Sequence, residues 1–214
     1  MIAGNENLAD YARRYCTKVV VVPTGLDTAS YQKSDISKDT DHIRLVWIGS
    51  ESTLKYLADL RPVFEEVGKT HKNVILRIIA DTFFDLENMK VEKCPWSLKT
   101  QVPDLLSSDI GLAPLPDNCF TRGKCGFKML QYFAAGLPVI ASPVGVNETF
   151  IKESGAGLLA STPSQWKEAI EKMIKNIALY RQFGEDGKKF VQMFDKGIIA
   201  KELCRILKSA AAAS

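Results

Sequence analysis

The sequence predicts an α/β protein built on a doubly wound parallel sheet, and three observations predict it. Short apolar, β-branched runs recur along the chain, each closed by Gly, Pro, Ser or Asp. Helical patterns lie between them, and the last third is helical throughout. Alternation of this kind needs right-handed crossovers, which place the strands in one parallel sheet with helices on both faces.

Taken in order, a helix at Leu8–Cys16 and a strand at Val19–Val22 form a small αβ unit. The stretch Asp27 to Asp41 is polar, has no apolar period and reads as a linker or surface loop. The runs Ile43–Ile48, Val74–Ile79, Ile110–Leu115, Val139–Ala141 and Gly157–Leu159 are continuous rather than alternating, the mark of strands covered on both faces. Helices are expected at Leu54–Gly68, Leu98–Leu106 and Phe127–Ala135. Three more follow at Ser164–Asn176, Ile177–Phe183 and Lys196–Leu207, packing across the sheet and its edge. The expected divisions are a lead-in at 1–28, a linker or hinge loop at 29–41, the main domain at 42–207 and a low-information tail at 208–214. Met1 opens straight into what reads as a strand end and the tail is mostly alanine, so both ends read as artificial.

A chain of 214 residues buries about 70% of its extended surface and needs neither metal nor disulfide to fold. Its 46% hydrophobic and 25% charged residues exclude a disordered, collagen-like or low-complexity chain. A net charge of +3 gives no footprint for nucleic acid, so an anionic ligand has to be held locally. The five cysteines, Cys16, Cys94, Cys119, Cys125 and Cys204, form no CxxC pair and have only His42 and His71 as possible co-ligands. That argues against zinc and for a reducing compartment. The cysteines read as buried free thiols, with Cys119 and Cys125 as redox partners the rival reading. No apolar run approaches the roughly 18 residues of a spanning helix, and the start MIAGNENLADYARRY lacks a signal-peptide layout. A soluble, cytoplasmic protein is expected.

Doubly wound sheets bind ligands beyond the carboxyl ends of their strands. Three loops stand there: Gly49 to Thr53, Pro114 to Gly126, and Ser142 to Asn147. Each leads into a helix N-terminus, where unpaired N–H groups and the positive dipole end suit an anion. Gly123 and Gly126 frame Lys124 and leave room for a phosphate against the backbone, while Lys55 reaches toward the same crevice and Ser50, Ser52 and Thr53 add hydroxyls. Two lysines and a row of amides suit a diphosphate and would stabilise one as it departs. Each residue also has a plainer reading, the serine as a helix cap and the lysine as a solvated first-turn side chain. No GxxxxGK[ST], no GxGxxG after a strand and no GxSxG occurs, which leaves little support for a P-loop hydrolase, a nicotinamide dehydrogenase or a serine hydrolase.

The segment RGKCGFKMLQYFAAGLPVIASPVGVN, Arg122 to Asn147, resembles the donor-binding, C-terminal domain of retaining glycosyltransferases of family 4 (group 1) with the GT-B fold. Within it Tyr132 to Ser142 is similar to that family's helix, tight turn and strand, with Gly136 ending the helix and Pro138 starting the strand. Val22-Pro23-Thr24-Gly25-Leu26-Asp27 resembles the hinge motif, Asp109 to Leu115 the following strand, and Ala156-Gly157-Leu158-Leu159 a late strand, so the resemblance spans residues 1 to 207.

The resemblance implies a Rossmann-like domain that binds a nucleoside-diphosphate sugar and passes the sugar to a hydroxyl of a glycan, polysaccharide or lipid in a bacterial cytoplasm. No cofactor or metal is implied. Lys55 and Lys124 become the catalytic cations. The donor-binding set is Gly49, Ser50, Trp96, Arg122, Gly123, Cys125, Gly126, Lys128, Gln131, Ser142 and Asn147. The family's two glutamates, eight positions apart, fall on Gly123 and Gln131. Gln131 keeps a hydrogen bond for ribose, and Gly123 offers only its N–H. The family's Arg and Lys after the first strand fall on Ser50 and Lys55, with Lys124 or Arg122 to replace the lost charge. Trp96 stacks on the base or pins its helix, Asp109 and Arg122 are turn residues or contacts, Asn147 meets the sugar diphosphate or caps a helix, and Trp47 is core. The acceptor domain of such an enzyme is absent from this chain apart from residues 1–28, so the polypeptide is expected to bind donor weakly without transferring sugar, and any membrane contact falls to the absent domain. The rival classes are a non-catalytic scaffold of GT-B descent and an epimerase or phosphorylase of the same architecture.

Overall fold

The computed structural model describes residues 1–32 and 41–212. Most of the expected linker lies outside them; its described start belongs to a short 3-10 turn, Thr28–Tyr31, with Thr28 and Tyr31 buried.

The lead-in is a small parallel unit: β1 (Ile2–Ala3), α1 (Glu6–Ala12) and β2 (Val20–Val21), with Ile2 opposite Val20. The main sheet follows, with β3 (Ile43–Ile48), α2 (Glu51–Ala58), α3 (Arg61–Thr70), β4 (Val74–Ala80), β5 (Lys90–Pro95), α4 (Gln101–Leu106), β6 (Ile110–Ala113), α5 (Cys119–Arg122) and α6 (Phe127–Ala134). It is completed by β7 (Val139–Ala141), α7 (Val146–Ser154), β8 (Gly157–Leu159), α8 (Pro163–Lys175), α9 (Ile177–Val191) and α10 (Lys196–Ala212). All six main strands are parallel in the order β5-β4-β3-β6-β7-β8. This is the doubly wound sheet that the alternation of segments predicts.

Strand geometry sends successive side chains to opposite faces, and β3 shows the result. Leu45 and Trp47 join one core with Leu57, Phe64, Ile170 and Met173 from α2, α3 and α8. Val46 and Ile48 join the other with Met129, Phe133, Phe150 and Phe190 from α6, α7 and α9. Trp47 is fully buried, as a core residue should be.

Several boundaries differ from expectation. The pattern at Leu54–Gly68 divides into α2 and α3 because Pro62 enters near the start of α3 and has no N–H to carry the helix through. The strand expected at Ile110–Leu115 stops at Ala113, since Pro114 cannot donate to a ladder. The helix expected to end at Phe183 runs to Val191: Gly184 and Gly187 are where α9 presses on the Gly136 backbone and the Phe133 ring. Edge strand β5 has no counterpart in the sequence reading, while the helix expected to start from the Ser142 to Asn147 loop is α7. The thiols are also placed differently, because none of the five cysteines is buried: Cys119 and Cys204 are exposed on α5 and α10, and the other three are intermediate.

Candidate functional site

Helices cross to opposite sides of the sheet on either side of β3, so the topological switch point lies between β3 and β6. These strands pair only at Leu45 with Ile110 and Val46 with Gly111, then part. The buried Tyr132 hydroxyl spans the gap, accepting from the Ile48 N–H at 3.1 Å and donating to the Leu112 carbonyl at 3.0 Å. Burial pushes this phenol's pKa far up, so it stays protonated and able to donate.

A cavity of about 250 Å³ opens above this point, lined by residues that include Thr53, Tyr56, Pro114, Lys124, Gly126, Lys128 and Asn147. A roomier groove of about 490 Å³, near Asp109 and Pro138, lies at the opposite, amino ends of β6 and β7, where a doubly wound sheet does not bind its ligand. Helix α6 aims its amino end at the cavity, with Gly126 at φ 68° as its cap. That left-handed turn suits glycine alone at low cost, and a Cβ there would also strike Val146 and Phe150 of α7. The first-turn amides of α6, those of Phe127 and Lys128 among them, have no partner further along the helix and carry its positive dipole end.

Two cations stand in the lining. Lys124 places Nζ 4.6 Å from the centre of the Phe120 ring. Lys128 places its amine 4.0 Å from the centre of the Trp47 ring. Desolvation, helped by the nearby charge of Lys124, holds Lys128 well below the usual lysine range. A lysine in such surroundings gains most from an incoming anion. The Nε1 of this same indole is buried, with no hydrogen-bond partner among the described residues.

Of the residues singled out from the sequence, the cavity gathers Thr53, Lys124, Cys125, Gly126, Lys128 and Asn147. The buried Asn147 is not a helix cap, since Gly145 takes that position; its amide donates to the Ala113 carbonyl at 3.4 Å. Ser142 holds the loop after β6 by accepting from the Leu115 N–H at 3.0 Å. Ser50 is the N-cap residue of α2 but makes no side-chain capping bond, and Gly49 precedes it. Lys55 is exposed on α2 with its amine beside the Tyr56 ring, and is not part of the cavity lining. Arg122 is tied to Asp117 by a two-pronged contact of 2.6 and 2.8 Å. Gly123 turns its own N–H back to the Thr121 carbonyl. Asp109 acts in the turn before β6, accepting from the Arg44 N–H at 2.9 Å.

Trp96 and Gln131 meet through a residue with no signal in the sequence. Gln101 Oε1 accepts from Trp96 Nε1 at 3.3 Å and from Gln131 Nε2 at 3.2 Å. Gln101, Trp96 and Gln131 lie outside the cavity lining, whereas Tyr56, which the sequence reading passes over, is in it; in a first helical repeat an aromatic reads as core. Among the described residues no cluster of His, Cys, Asp and Glu can hold a metal ion, and no helix is long and apolar enough to cross a membrane.

The architecture has many solved counterparts. The sucrose-phosphate synthase of Thermosynechococcus elongatus superposes with a TM-score of 0.79 at 17% identity, covering 100% of this chain and 58% of that one. HepE of Anabaena, solved in complex with UDP and glucose, gives 0.77 at 13% identity over 97% of this chain and 62% of its own. The C-terminal domain of a glycosyl transferase group 1 family protein from Francisella tularensis gives 0.60 at 13% identity, over 79% of this chain and 97% of that domain. The chain thus spans under two thirds of the longer structures. No curated protein matches it in sequence. Residues 25–176 match the family of group 1 glycosyl transferases. With most of its length covered by that match and a doubly wound sheet that superposes on GT-B enzymes, the chain belongs to the group 1 glycosyl transferases.

Proposed function

We propose that this chain is the donor-binding half of a retaining glycosyltransferase, and that its cavity takes the diphosphate of a nucleoside-diphosphate sugar. The observation that carries the reading is the pairing of Lys124 and Lys128 with the amino end of α6 at the switch point of the sheet. A desolvated lysine with no carboxylate beside it has its charge satisfied by phosphate oxygens better than by water. The UDP bound by HepE supports the ligand class. Trp96 and Gln131, linked through Gln101, are the candidates for base and ribose.

In the reaction the bond between the anomeric carbon and the β-phosphate oxygen breaks. The acceptor oxygen bonds to that carbon on the same face, and its proton passes to the departing phosphate. No protein nucleophile is required. Lys124, Lys128 and the α6 amides stabilise the growing charge, and Lys55 on α2 adds a further positive charge to the field. The acceptor site belongs to an N-terminal domain that this chain does not supply.

Calorimetric titration with UDP, GDP and ADP tests the reading. Binding of one of them, weakened at least tenfold by K124A, is the expected result; no binding by any of the three removes the donor role. Binding without transfer once an acceptor domain is supplied would identify a non-catalytic domain.

A further inference from the structure

Capping a helix asks only for an acceptor, and Asp, Ser and Thr serve as well as Asn. Asn5 caps α1 in this way, its Oδ1 accepting from the Leu8 N–H at 2.9 Å. Its other half does something that none of those residues can do. Nδ2 donates to the Gly123 and the Lys124 carbonyls at 3.0 Å each, and lies 3.9 Å from Cys125 Sγ. The side chain is buried at 4% exposure and reaches a segment more than a hundred residues away in sequence.

The segment it reaches is the joint between α5 and α6. Only Gly123, Lys124 and Cys125 separate Arg122 at the end of α5 from Gly126 at the cap of α6. Such a joint has carbonyls that neither helix satisfies. The neighbours of Asn5 press on it too: a Cβ on Gly4 would collide with Cys125 Sγ, and one on Gly123 would meet Leu8 at 3.2 Å. Lys124, Cys125 and Gly126 then form one wall of the cavity.

We propose that Asn5 is a positioning residue for the anion site: its carboxamide fixes the Gly123–Lys124 joint, and thereby sets the placing of Lys124 and of the amino end of α6. The proposal rests on the donor reading above for its ligand, but not for its geometry. It makes the lead-in a working part of the site. A change in that unit's seat on the joint then changes affinity for the donor.

Two substitutions isolate the donor half of the carboxamide. N5D keeps shape and capping acceptor but turns a carboxylate toward two carbonyls; N5S keeps the cap, loses the reach and carries no charge, so it stands in should N5D unfold the lead-in. Calorimetry with UDP, GDP and ADP is combined with amide hydrogen exchange on the ligand-free chain. Expected are thermal transitions within a few degrees of the parent, exchange at residues 123–126 faster by at least about tenfold with β3, β4 and β6 unchanged, and affinity for the nucleoside diphosphate lower by a similar factor. Unchanged exchange at 123–126 in the folded variants overturns the proposal. So does faster exchange with unaltered affinity. If the parent binds none of the three nucleotides the donor reading fails, while the exchange data still decide whether Asn5 holds the joint.

Discussion

At the scale of single residues, Tyr132 and Lys128 make opposite demands on burial. The Tyr132 hydroxyl takes the place of a ladder where β3 and β6 part, so Y132F leaves the Ile48 N–H and the Leu112 carbonyl buried without a partner. Urea unfolding should show a loss of about 1–3 kcal/mol, the usual cost of orphaning buried polar groups. Lys128 is costly to keep charged in the empty site. Its folded-state pKa is lowered, so between that value and the unfolded range near about 10.4 the unfolded chain binds more protons and stability rises with pH. K128M removes that rise, read as the difference between the two proteins' unfolding midpoints over alkaline pH, and weakens nucleoside diphosphate binding by about tenfold or more. A lysine at the second position of a helix gives no sign of this in the sequence. The motif around it marks the segment, but the aromatic face beneath Lys128 comes from β3, some eighty positions earlier, and only folding brings them together. The same holds for Gln101, whose bonds to Trp96 and Gln131 join α4 to α6. Arg122 shows the converse: conspicuous beside the glycines, it is already engaged by Asp117, which raises its pKa further.

At the scale of elements, what the sequence displays depends on which surface an element buries. Strands β3, β4, β6 and β7 are covered on both faces, and their largely apolar runs, interrupted by Arg44 in β3 and Arg77 in β4, announce them. Edge strand β5 reads Lys-Val-Glu-Lys-Cys-Pro and is largely exposed, so no pattern marks it. It is seated partly by charge: Glu92 meets Arg44 of β3 at 3.1 Å and Arg77 of β4 at 2.8 Å, with all three side chains under 20% exposed. Arg77 is held further by the Asp104 carbonyl and the Ser107 and Ser108 hydroxyls. Burial pushes the Glu92 pKa up, but the hydrogen bond from Arg44 and the charge of Arg77 outweigh it, and the net shift is downward. E92Q takes from the buried Arg77 the carboxylate that faces it and should cost about 3 kcal/mol near neutral pH, the lower end for a broken buried pair. Because the folded pKa is depressed, this stability is present above the unfolded carboxylate value and is lost as pH falls through the folded one. The gap between parent and E92Q should therefore close in acid, and denaturant titrations from pH 7 down to about pH 3 will follow it. Helix α7 shows in the sequence only as a helix start beyond the third loop, without an extent. The Pro143 and Gly145 before it read as loop, although Gly145 at φ 55° is the cap from which the helix starts.

At the scale of the whole molecule, the fold follows from the order of its segments, whereas the proposed donor-binding role turns on what can close over the cavity. The cavity is open to solvent, and Phe127 in its lining and Phe120 beside Lys124 are 45% and 69% exposed. An active site for glycosyl transfer has to exclude water as the diphosphate leaves, or the sugar passes to water instead of to the acceptor. Nothing in the described residues closes over this cavity from the acceptor side. The lead-in touches it from below through Asn5, and its own two-stranded sheet leaves Ile2 and Val20 about 40% exposed, too small a unit to act as a lid. Transfer by this polypeptide alone should therefore stay undetectable across a panel of nucleoside-diphosphate sugars and hydroxyl acceptors, even where calorimetry finds the nucleoside diphosphate bound. Supplying an N-terminal acceptor domain ahead of residue 1 should restore turnover, with K124A and K128M lowering kcat more than they raise KM because the charge they meet grows as the bond breaks. Robust transfer by the 214-residue chain would place both substrates on one domain and end the division of labour proposed for it.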